Sequence, residues 1–326
     1  MDKKHLVIIC GPTCSGKTFI GHHFAKELNG EIINADSMQL YTQIPIITAS
    51  PSEALKSEVD YHLYNFLDIN SSYSAVEYAK DAAKTIKNVI AKGKTPILVG
   101  GSGMYINTLI QGYNNIPDID QSIRQKTLQI KSDKGLDYIY DQLLKADPDH
   151  KKLHSSDTYR ILRAYEVYLQ TNQSIYSFKE YGRQEFLSEY SFNIIYLKPE
   201  RKLLHSQIDQ RLDEMLRLGA VLEIENLVSV IASNASTLLN LSGLKAVGVQ
   251  EIILYLQKQI EYDAMIQLII TKTKQYAKRQ ITWFNNQLKN QTTFEYASTE
   301  EFNEITTKIE SVIIKFKSCA DPNLYK

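Results

Sequence analysis

The stretch GPTCSGKT, residues 11–18, restricts the possible folds of this chain more than any other part of it. It satisfies the pattern G-x-x-x-x-G-K-[ST] with two glycines, Lys17 and Thr18, and it stands between the apolar run LVIIC and a helical pattern. Glycines allow successive backbone N–H groups to point inward, and a helix N-terminus adds partial positive charge. An ordinary glycine turn would not require both flanking elements. We therefore expect a di- or triphosphate to bind here.

Each residue type in this loop suits an anion. Lys17 supplies a full positive charge, and the hydroxyl of Thr18 can bind Mg²⁺, the one cofactor that we expect. The predicted phosphate-binding loop consists of Gly11, Pro12, Thr13, Cys14, Ser15, Gly16, Lys17 and Thr18.

Short β-branched runs alternate with helical patterns in the first third of the chain. The runs HLVIIC, EIINAD and TPILVGGSG are separated by a helix near residues 18–29 and by the amphipathic stretch SAVEYAKDAAKTIKNVIAKGK, which Gly93 ends. This order predicts a parallel sheet with crossover helices. Apolar strands without alternation indicate that both faces of the sheet are buried.

The pattern changes near Gly112. Residues 114–190 have helical character and no convincing strand, whereas FNIIYLKP and TTFEYA again predict strands, with helices between them. We therefore predict an α/β fold, a P-loop kinase-like parallel sheet flanked by helices, with an all-helical insertion domain. The core would comprise 1–113 and 191–326, including the C-terminal helices. The insertion domain would comprise 114–190.

Charge and composition exclude several classes of protein. The formal net charge is zero, so a nucleic-acid partner must meet a local basic patch. No apolar run is long enough to cross a bilayer. Three cysteines without framework spacing argue against a disulfide scaffold or a zinc site. We expect a cytoplasmic monomer with no membrane partner.

Asp36 follows the second predicted strand, and Ser102 follows the third. Ligands of open α/β sheets bind beyond the carboxyl ends of the strands, so Asp36 is expected to face the phosphate loop. It could orient an acceptor hydroxyl or a metal in a kinase, take a proton from an attacking amine in an alkyl transferase, or only cap a turn. The third strand ends in Gly-Gly-Ser-Gly instead of a metal-binding aspartate, which weakens the case for phosphoryl transfer.

Three motifs, GPTCSGKT, NADSMQLY and GGSGMY, occur in an order and spacing that resemble the tRNA dimethylallyltransferases, also called tRNA isopentenyltransferases. DTYRILRAYEV, QIDQRLDEMLRLG, GLKAVGVQE and QYAKRQITWF extend the resemblance to about Phe284. It implies transfer of a dimethylallyl group from dimethylallyl diphosphate to N6 of the adenine 3′-adjacent to the anticodon, assisted by Mg²⁺. The partners would be dimethylallyl diphosphate, held by the loop 11–18, and the tRNA anticodon loop, contacted by the C-terminal helices and by the insertion domain. The eukaryotic zinc finger is absent, which indicates a bacterial form.

The resemblance also implies residue roles. Asp36 matches the general base on the adenine amine, Thr13 a threonine near the bridging oxygen of the diphosphate, and Lys17 completes the catalytic set. Ser102 matches a residue that meets the substrate, and Arg124 an arginine at the mouth of the site. The implied contacts to substrate or tRNA are Asp36, Ser37, Met38, Gln39, Ser102, Arg124, Tyr159, Arg160, Ile161, Leu162, Arg163, Lys245, Gly248, Gln250, Lys278, Arg279, Gln280 and Trp283.

Some positions depart from the family pattern, and some alternatives stay open. The chain has ITASP at 47–51 where the family often has GTAKP, and Val249 replaces an aromatic residue. Trp283 could stack on a base or pack in the core, and Arg160 could simply pair with Asp157. The rival functions are prenylation of free adenylate, a small-molecule kinase and a nucleotide-binding switch. The long insertion and the basic C-terminal helix favour tRNA.

Overall fold

A computed structural model describes residues 4–146, 148–179, 182–232 and 242–319 of the chain. The chain divides into two compact units. The larger comprises Met1–Ile110 and Phe186–Lys326, and the smaller comprises Gln111–Glu185. None of the helices in the described ranges is both long and apolar enough to cross a membrane.

The larger unit contains a six-stranded sheet in which every pair of neighbouring strands is parallel. The strands are β1 (Lys4–Cys10), β2 (Gly30–Asn34), β3 (Tyr61–His62), β4 (Thr95–Gly100), β7 (Tyr190–Pro199) and β8 (Gln291–Tyr296). Their order across the sheet is β3-β2-β4-β1-β7-β8. Parallel strands need crossover connections, which the intervening helices provide. The predicted parallel α/β sheet is confirmed.

Helices precede, separate and follow these strands. The larger unit contains α1 (Lys17–Glu27), α2 (Glu53–Glu58), α3 (Ala75–Ala91), α7 (Arg201–Arg217), α8 (Ala220–Ala232), α9 (Val249–Leu256), α10 (Tyr262–Gln287) and α11 (Thr299–Cys319). The helix α4 (Gly103–Gln111) ends at the boundary of the two units. Ser74 and Glu77 form a capping box at the start of α3, and Gly93, at φ 71°, follows its end.

Apolar side chains on both faces hold the sheet. Along β1, Leu6 and Ile8 pack into one buried cluster with α3, whereas Val7 and Ile9 pack into a second cluster with α1. Successive side chains of a strand point to opposite faces, so an unbroken apolar run fills both cores. All five residues of β2 are buried as well, including the polar Glu31 and Asn34.

The smaller unit has its own core between α5 (Gln121–Ala146), which is interrupted at Gly135, and α6 (Thr158–Thr171). The sequence predicted no strand here, but β5 (Tyr113–Asn114) and β6 (Arg183–Gln184) form a short antiparallel pair. The prediction of an all-helical insertion is therefore wrong in this detail. Two-residue strands contain no alternation, so no sequence pattern marks them.

Glu31 is a fully buried carboxylate in β2. Its oxygens lie 2.6 Å from His62 Nε2, 2.7 Å from Lys94 Nζ and 3.2 Å from Lys92 Nζ. Burial by itself raises the pKa of this carboxyl, but hydrogen bonds from Lys94, His62 and Lys92, in that order of size, outweigh it and hold the pKa at about 2. The ionised form therefore stabilises the fold.

Replacing Glu31 with Gln is expected to lower the free energy of unfolding by about 2 kcal/mol near neutral pH, since charged hydrogen bonds are lost. A carboxyl whose folded pKa is depressed stabilises the fold above its ordinary pKa of 4.5, and this stabilisation is lost as the pH falls toward 2. Urea unfolding across acidic and neutral pH should therefore show a difference between wild type and Glu31→Gln that narrows below pH 4.5.

Glu58→Gln is the matched control. Glu58 also pairs with a lysine, Lys26, at 2.6 Å, but both side chains are about half exposed, and exposed pairs contribute little. A gap between wild type and Glu31→Gln that is constant with pH would contradict the assigned role of the Glu31 carboxylate.

Candidate active site

The loop 11–16 connects β1 to α1 in the geometry of an anion nest. Gly16 adopts the left-handed conformation (φ 70°, ψ 9°) directly before α1 begins at Lys17. Cys14 is also left-handed at φ 61°, a conformation that is uncommon for a residue with a side chain. Lys17 Nζ donates to the carbonyl of Pro12 at 2.5 Å, so its ammonium group lies over the loop. This is the arrangement that the sequence motif predicts.

The C-terminal elements β8 and α11 support the loop from behind. The hydroxyl of Tyr296 donates to the carbonyl of Ser15 at 2.8 Å in a buried setting. A Cβ on Gly16 would lie 2.4 Å from Cζ of Phe302, so only glycine fits against this ring. The Oγ of Ser15 is buried and has no hydrogen-bond partner among the described residues. Buried polar atoms are usually paired, so this hydroxyl suits a bound anion.

Asp36 is held in a tight turn two residues after β2. The buried side chain of Asn34 accepts the Asp36 N–H at 2.7 Å and donates to the Asp36 carbonyl at 3.0 Å. Oδ1 of Asp36 accepts the N–H of Met38 at 3.0 Å. Asp36 therefore does cap a turn. Oδ2 makes no hydrogen bond to the described residues, so it is available to a ligand.

The turn after β4 locks the Asp36 segment in place. A Cβ on Gly100 would lie 2.1 Å from the carbonyl of Ala35, so the two strand ends touch directly. Ser102 N donates to the Ala35 carbonyl at 3.0 Å. Ser102 Oγ accepts the Ser37 N–H at 2.8 Å and lies 3.0 Å from Ser37 Oγ. Ser102, predicted to meet the substrate, thus also fixes the segment that contains the carboxylate.

Arg211, in α7, is a site residue that sequence reasoning missed. Its Nη1 donates to Thr13 Oγ1 at 3.1 Å and to Cys14 Sγ at 3.4 Å. It lies in QIDQRLDEMLRLG, a stretch marked only by family resemblance, and an arginine on an amphipathic helix is normally read as exposed. Its contact with the loop depends on where α7 packs.

The electrostatics of the site centre on Lys17. Burial lowers the pKa of Lys17 to about 8; the negative charge of Asp36 opposes this effect, and the positive charge of Arg211 adds to it. The pKa of the Tyr276 phenol is raised well above its usual range, first by burial and then by Asp36, while a hydrogen bond with Ser102 acts in the opposite direction. Two cations, a carboxylate and a neutral phenol thus converge on one space.

That space is a cavity of about 900 Å³ within the larger unit. Residues 13–18 and 36–39 form its polar wall, together with Arg211 and Arg279. Apolar side chains from the loop after β2, from α7 and from α10 form an apolar wall, among them Ile47, Met215 and Ile269. A charged group and a hydrocarbon can therefore be bound side by side.

The predicted residues of α10 fall on different faces of that helix. Lys278 and Arg279 are exposed, whereas Gln280 is buried and bonded to the loop. Trp283 is half-buried, packs against the core and meets Phe284 edge-to-face at 5.4 Å. Of the two interpretations of Trp283, the structure supports packing.

The segment before α9 has a mixed environment. Lys245 is exposed and lines the cavity, and Gln250 is exposed at the start of α9. Gly248 precedes that helix at φ 103°, a conformation that favours glycine, and its N–H donates to Glu251 at 2.8 Å.

The predicted residues of the smaller unit are described within that unit. Tyr159 is 81% exposed, whereas Ile161 is fully buried in the core. Arg160 lies 3.4 Å from Asp157, as one of the alternatives for it proposed, and Arg163 lies 3.7 Å from Glu166. Leu162 packs against the same core as Ile161, and Arg124 is exposed on α5.

The oxygen donors of the cavity suit Mg²⁺. The described residues contain no group of three or more His, Cys, Asp or Glu side chains that could hold a metal ion. Thr18 and Asp36 nevertheless line the cavity with hard oxygen donors. Mg²⁺ commonly takes few protein ligands and completes its shell with substrate phosphate oxygens and water.

Known proteins resemble this chain along most of its length. A sequence model described as "IPP transferase" matches residues 39–287. A tRNA dimethylallyltransferase of Rickettsia bellii (strain OSU 85-389) is 48% identical and covers 96% of this chain and 98% of its own length. Its bacterial origin agrees with the form that the sequence predicted.

Solved structures agree with these sequence matches. A eukaryotic dimethylallyltransferase, described as acting on tRNA, is 27% identical with a TM-score of 0.85 and covers 98% of this chain and 80% of its own. The full-length tRNA isopentenylpyrophosphate transferase of Bacillus halodurans is 28% identical with a TM-score of 0.67, covering 97% and 99%. By sequence and by fold, the chain belongs to the IPP transferase family.

Proposed function

We propose that this protein transfers the dimethylallyl group of dimethylallyl diphosphate to N6 of the adenine 3′-adjacent to the anticodon of tRNA. One observation carries this assignment: a single cavity joins a cationic phosphate loop, the carboxylate of Asp36 and an apolar wall. The relatives named tRNA dimethylallyltransferase support the choice of substrates.

The transfer is a displacement at an allylic carbon. The lone pair of N6 attacks C1 of the dimethylallyl group, the C1–O bond breaks, and the diphosphate leaves with the bonding electrons. The new nitrogen–carbon bond makes N6 cationic, and its proton passes to Asp36. Because the nitrogen proton becomes acidic as the bond forms, an ordinary carboxylate is a sufficient base.

The loop stabilises the leaving group. Backbone N–H groups of residues 14–18, with Lys17 and Arg211, would face the place where negative charge develops, and such preorganised donors stabilise a departing anion strongly. Thr18, together with the oxygens of the diphosphate, would hold Mg²⁺, which would add positive charge beside the leaving group. The apolar wall excludes water from the allylic carbon and so protects it from hydrolysis.

The adenine must leave its stack to reach Asp36. Extruding a base costs a few kcal/mol, and less in a loop than in a duplex. The exposed Lys278 and Arg279 provide a local basic surface on a protein without net charge, and contacts to phosphates would position the anticodon loop.

One assay tests the function. The protein is incubated with Mg²⁺ and labelled dimethylallyl diphosphate, together with unmodified tRNA or AMP, and ATP hydrolysis is measured in parallel. Label in tRNA alone is expected. Label in AMP would identify the enzyme that prenylates free adenylate, and phosphoryl transfer from ATP without use of the allylic diphosphate would overturn the proposal.

Asp36→Asn keeps the turn, since the amide oxygen can still accept the Met38 N–H, but it removes the base. We expect kcat to fall by about 10²–10⁴-fold. The affinity for inorganic diphosphate, measured by calorimetry, should change little. Asp68→Asn is the matched control, because Asp68 accepts the N–H of Asn70 in a similar turn outside the cavity. Full activity of Asp36→Asn would exclude Asp36 as the base.

Diphosphate affinity should depend on pH through Lys17. The protonated amine binds the anion, so affinity is greatest below the pKa of about 8 and falls as the pH rises through it. Lys17→Arg stays charged and should show no such fall. The ratio of the two dissociation constants across this range cancels the ionisation of the ligand itself. A constant ratio would contradict a lowered pKa for Lys17.

Lys278→Ala should raise KM for tRNA and reduce the dependence of tRNA binding on salt by about one counterion. Filter binding at several salt concentrations measures this slope. Lys84→Ala is the control, since Lys84 is an exposed lysine of α3 outside the cavity. An unchanged slope for Lys278→Ala would rule out a phosphate contact.

A further inference from the structure

Three side chains form a stripe along one face of α10 that packs on the glycine-rich turn after β4. Tyr276, Gln280 and Trp283 are spaced four and three residues apart, so they share a helix face. Tyr276 interacts with Ser102, Gln280 bonds to Gly101, and a Cβ on Gly103 would lie 2.1 Å from the Trp283 ring. This face of α10 therefore contacts three consecutive residues of the turn, 101–103.

Gln280 makes the two most specific contacts of this stripe. Its Oε1 accepts the backbone N–H of Thr13 at 2.8 Å, and its Nε2 donates to the carbonyl of Gly101 at 2.9 Å. Both partners are remote in sequence, and the side chain is only 6% exposed. One planar amide thus bonds the phosphate loop to the turn after β4.

The same amide lies next to the catalytic carboxylate. A Cβ built on Gly101 would be 2.4 Å from Gln280 Nε2 and 3.6 Å from Asp36 Oδ2. The turn that Gln280 holds is also bonded to the Asp36 segment through Ser102 and Ser37. The amide therefore stands where the loop for the leaving group and the segment of the base come together.

We propose that Gln280 is a positioning residue that sets the phosphate loop at a fixed distance from Asp36. Family resemblance alone assigns Gln280 to tRNA contact. Its two polar atoms are instead used inside the protein, and it does not line the cavity, unlike its neighbour Arg279. Lys278 and Arg279 form the exposed side of the same turn of helix, so α10 connects the basic surface to the reaction centre.

Gln280→Met removes both hydrogen bonds at nearly constant volume. Misplacing a loop that binds the leaving group should lower kcat by about 10- to 100-fold and raise KM for dimethylallyl diphosphate. KM for tRNA and the affinity for tRNA in filter binding should stay within about twofold. If Gln280 contacted tRNA instead, the substitution would raise KM for tRNA and leave KM for dimethylallyl diphosphate unchanged. Gln275→Met, at an exposed glutamine of α10, is the matched control.

Gly101→Ala provides an independent variant if Gln280→Met does not fold, as judged by circular dichroism. Its new methyl group would displace the Gln280 amide without altering that residue, and the same kinetic pattern is expected. A rise in KM for tRNA alone, or wild-type kinetics in both variants, would overturn the inference.

The inference rests on the proposed function, and calorimetry with inorganic diphosphate separates the two. If wild type transfers no prenyl group, the proposed function fails, and the Gln280 inference is then decided by diphosphate affinity. Weaker binding by Gln280→Met than by wild type and Gln275→Met supports the inference, and equal binding overturns it. If wild type is active and the variants match it, only the inference fails.

Discussion

The structure depends on the juxtaposition of three neighbouring parallel strands at one edge of the sheet. The strands β2, β4 and β1 are adjacent, and Cys10 is paired with Gly100 while Asn34 is paired with Val99. Their carboxyl ends therefore lie side by side, and the segments that follow them must share the same space. The phosphate loop, the Asp36 turn and the Gly-Ser-Gly turn are these segments. Their proximity follows from the order of the strands in the sheet. A parallel sheet in turn requires helices that bury both of its faces.

Side chains from elsewhere turn these strand ends into a site. The phosphate loop is contacted by four side chains from other elements: Gln280 of α10, Arg211 of α7, Tyr296 of β8 and Phe302 of α11. The family sequence model covers residues 39–287, so the loop, Tyr296 and Phe302 all lie outside the matched range. The phosphate loop and part of its support therefore lie outside the region that the family model matches, whereas Arg211 and Gln280 lie inside it.

The charge distribution explains how a protein with no net charge would bind the two polyanions of the proposed reaction. Inside the cavity, burial lowers the pKa of Lys17, and the nearby positive charge of Arg211 lowers it further. A bound diphosphate would relieve both effects, since it replaces lost solvation with direct ionic contact. The tRNA phosphates would instead meet exposed lysine and arginine, where electrostatic attraction is screened by salt. The diphosphate would therefore be bound by buried ionic contacts, and the tRNA by salt-screened attraction at the protein surface.

Local patterns determined much of this protein. The phosphate loop, the parallel sheet, the end of α3 before Gly93 and the position of Asp36 at a strand end follow from residue spacing and apolar periodicity, because each depends on neighbours in sequence. Only the tertiary structure decided the contacts between residues that are far apart in sequence. Arg211 of α7 contacts Thr13, and Gln280 is buried against the phosphate loop while Lys278 is exposed. Ile161 is buried in the core of the smaller unit. The tertiary structure also produced the β5–β6 pair, which is too short to leave a pattern. Such contacts depend on the packing of helices that are far apart in sequence. The apolar periodicity of one sequence shows which face of a helix is buried, but not which element packs against that face.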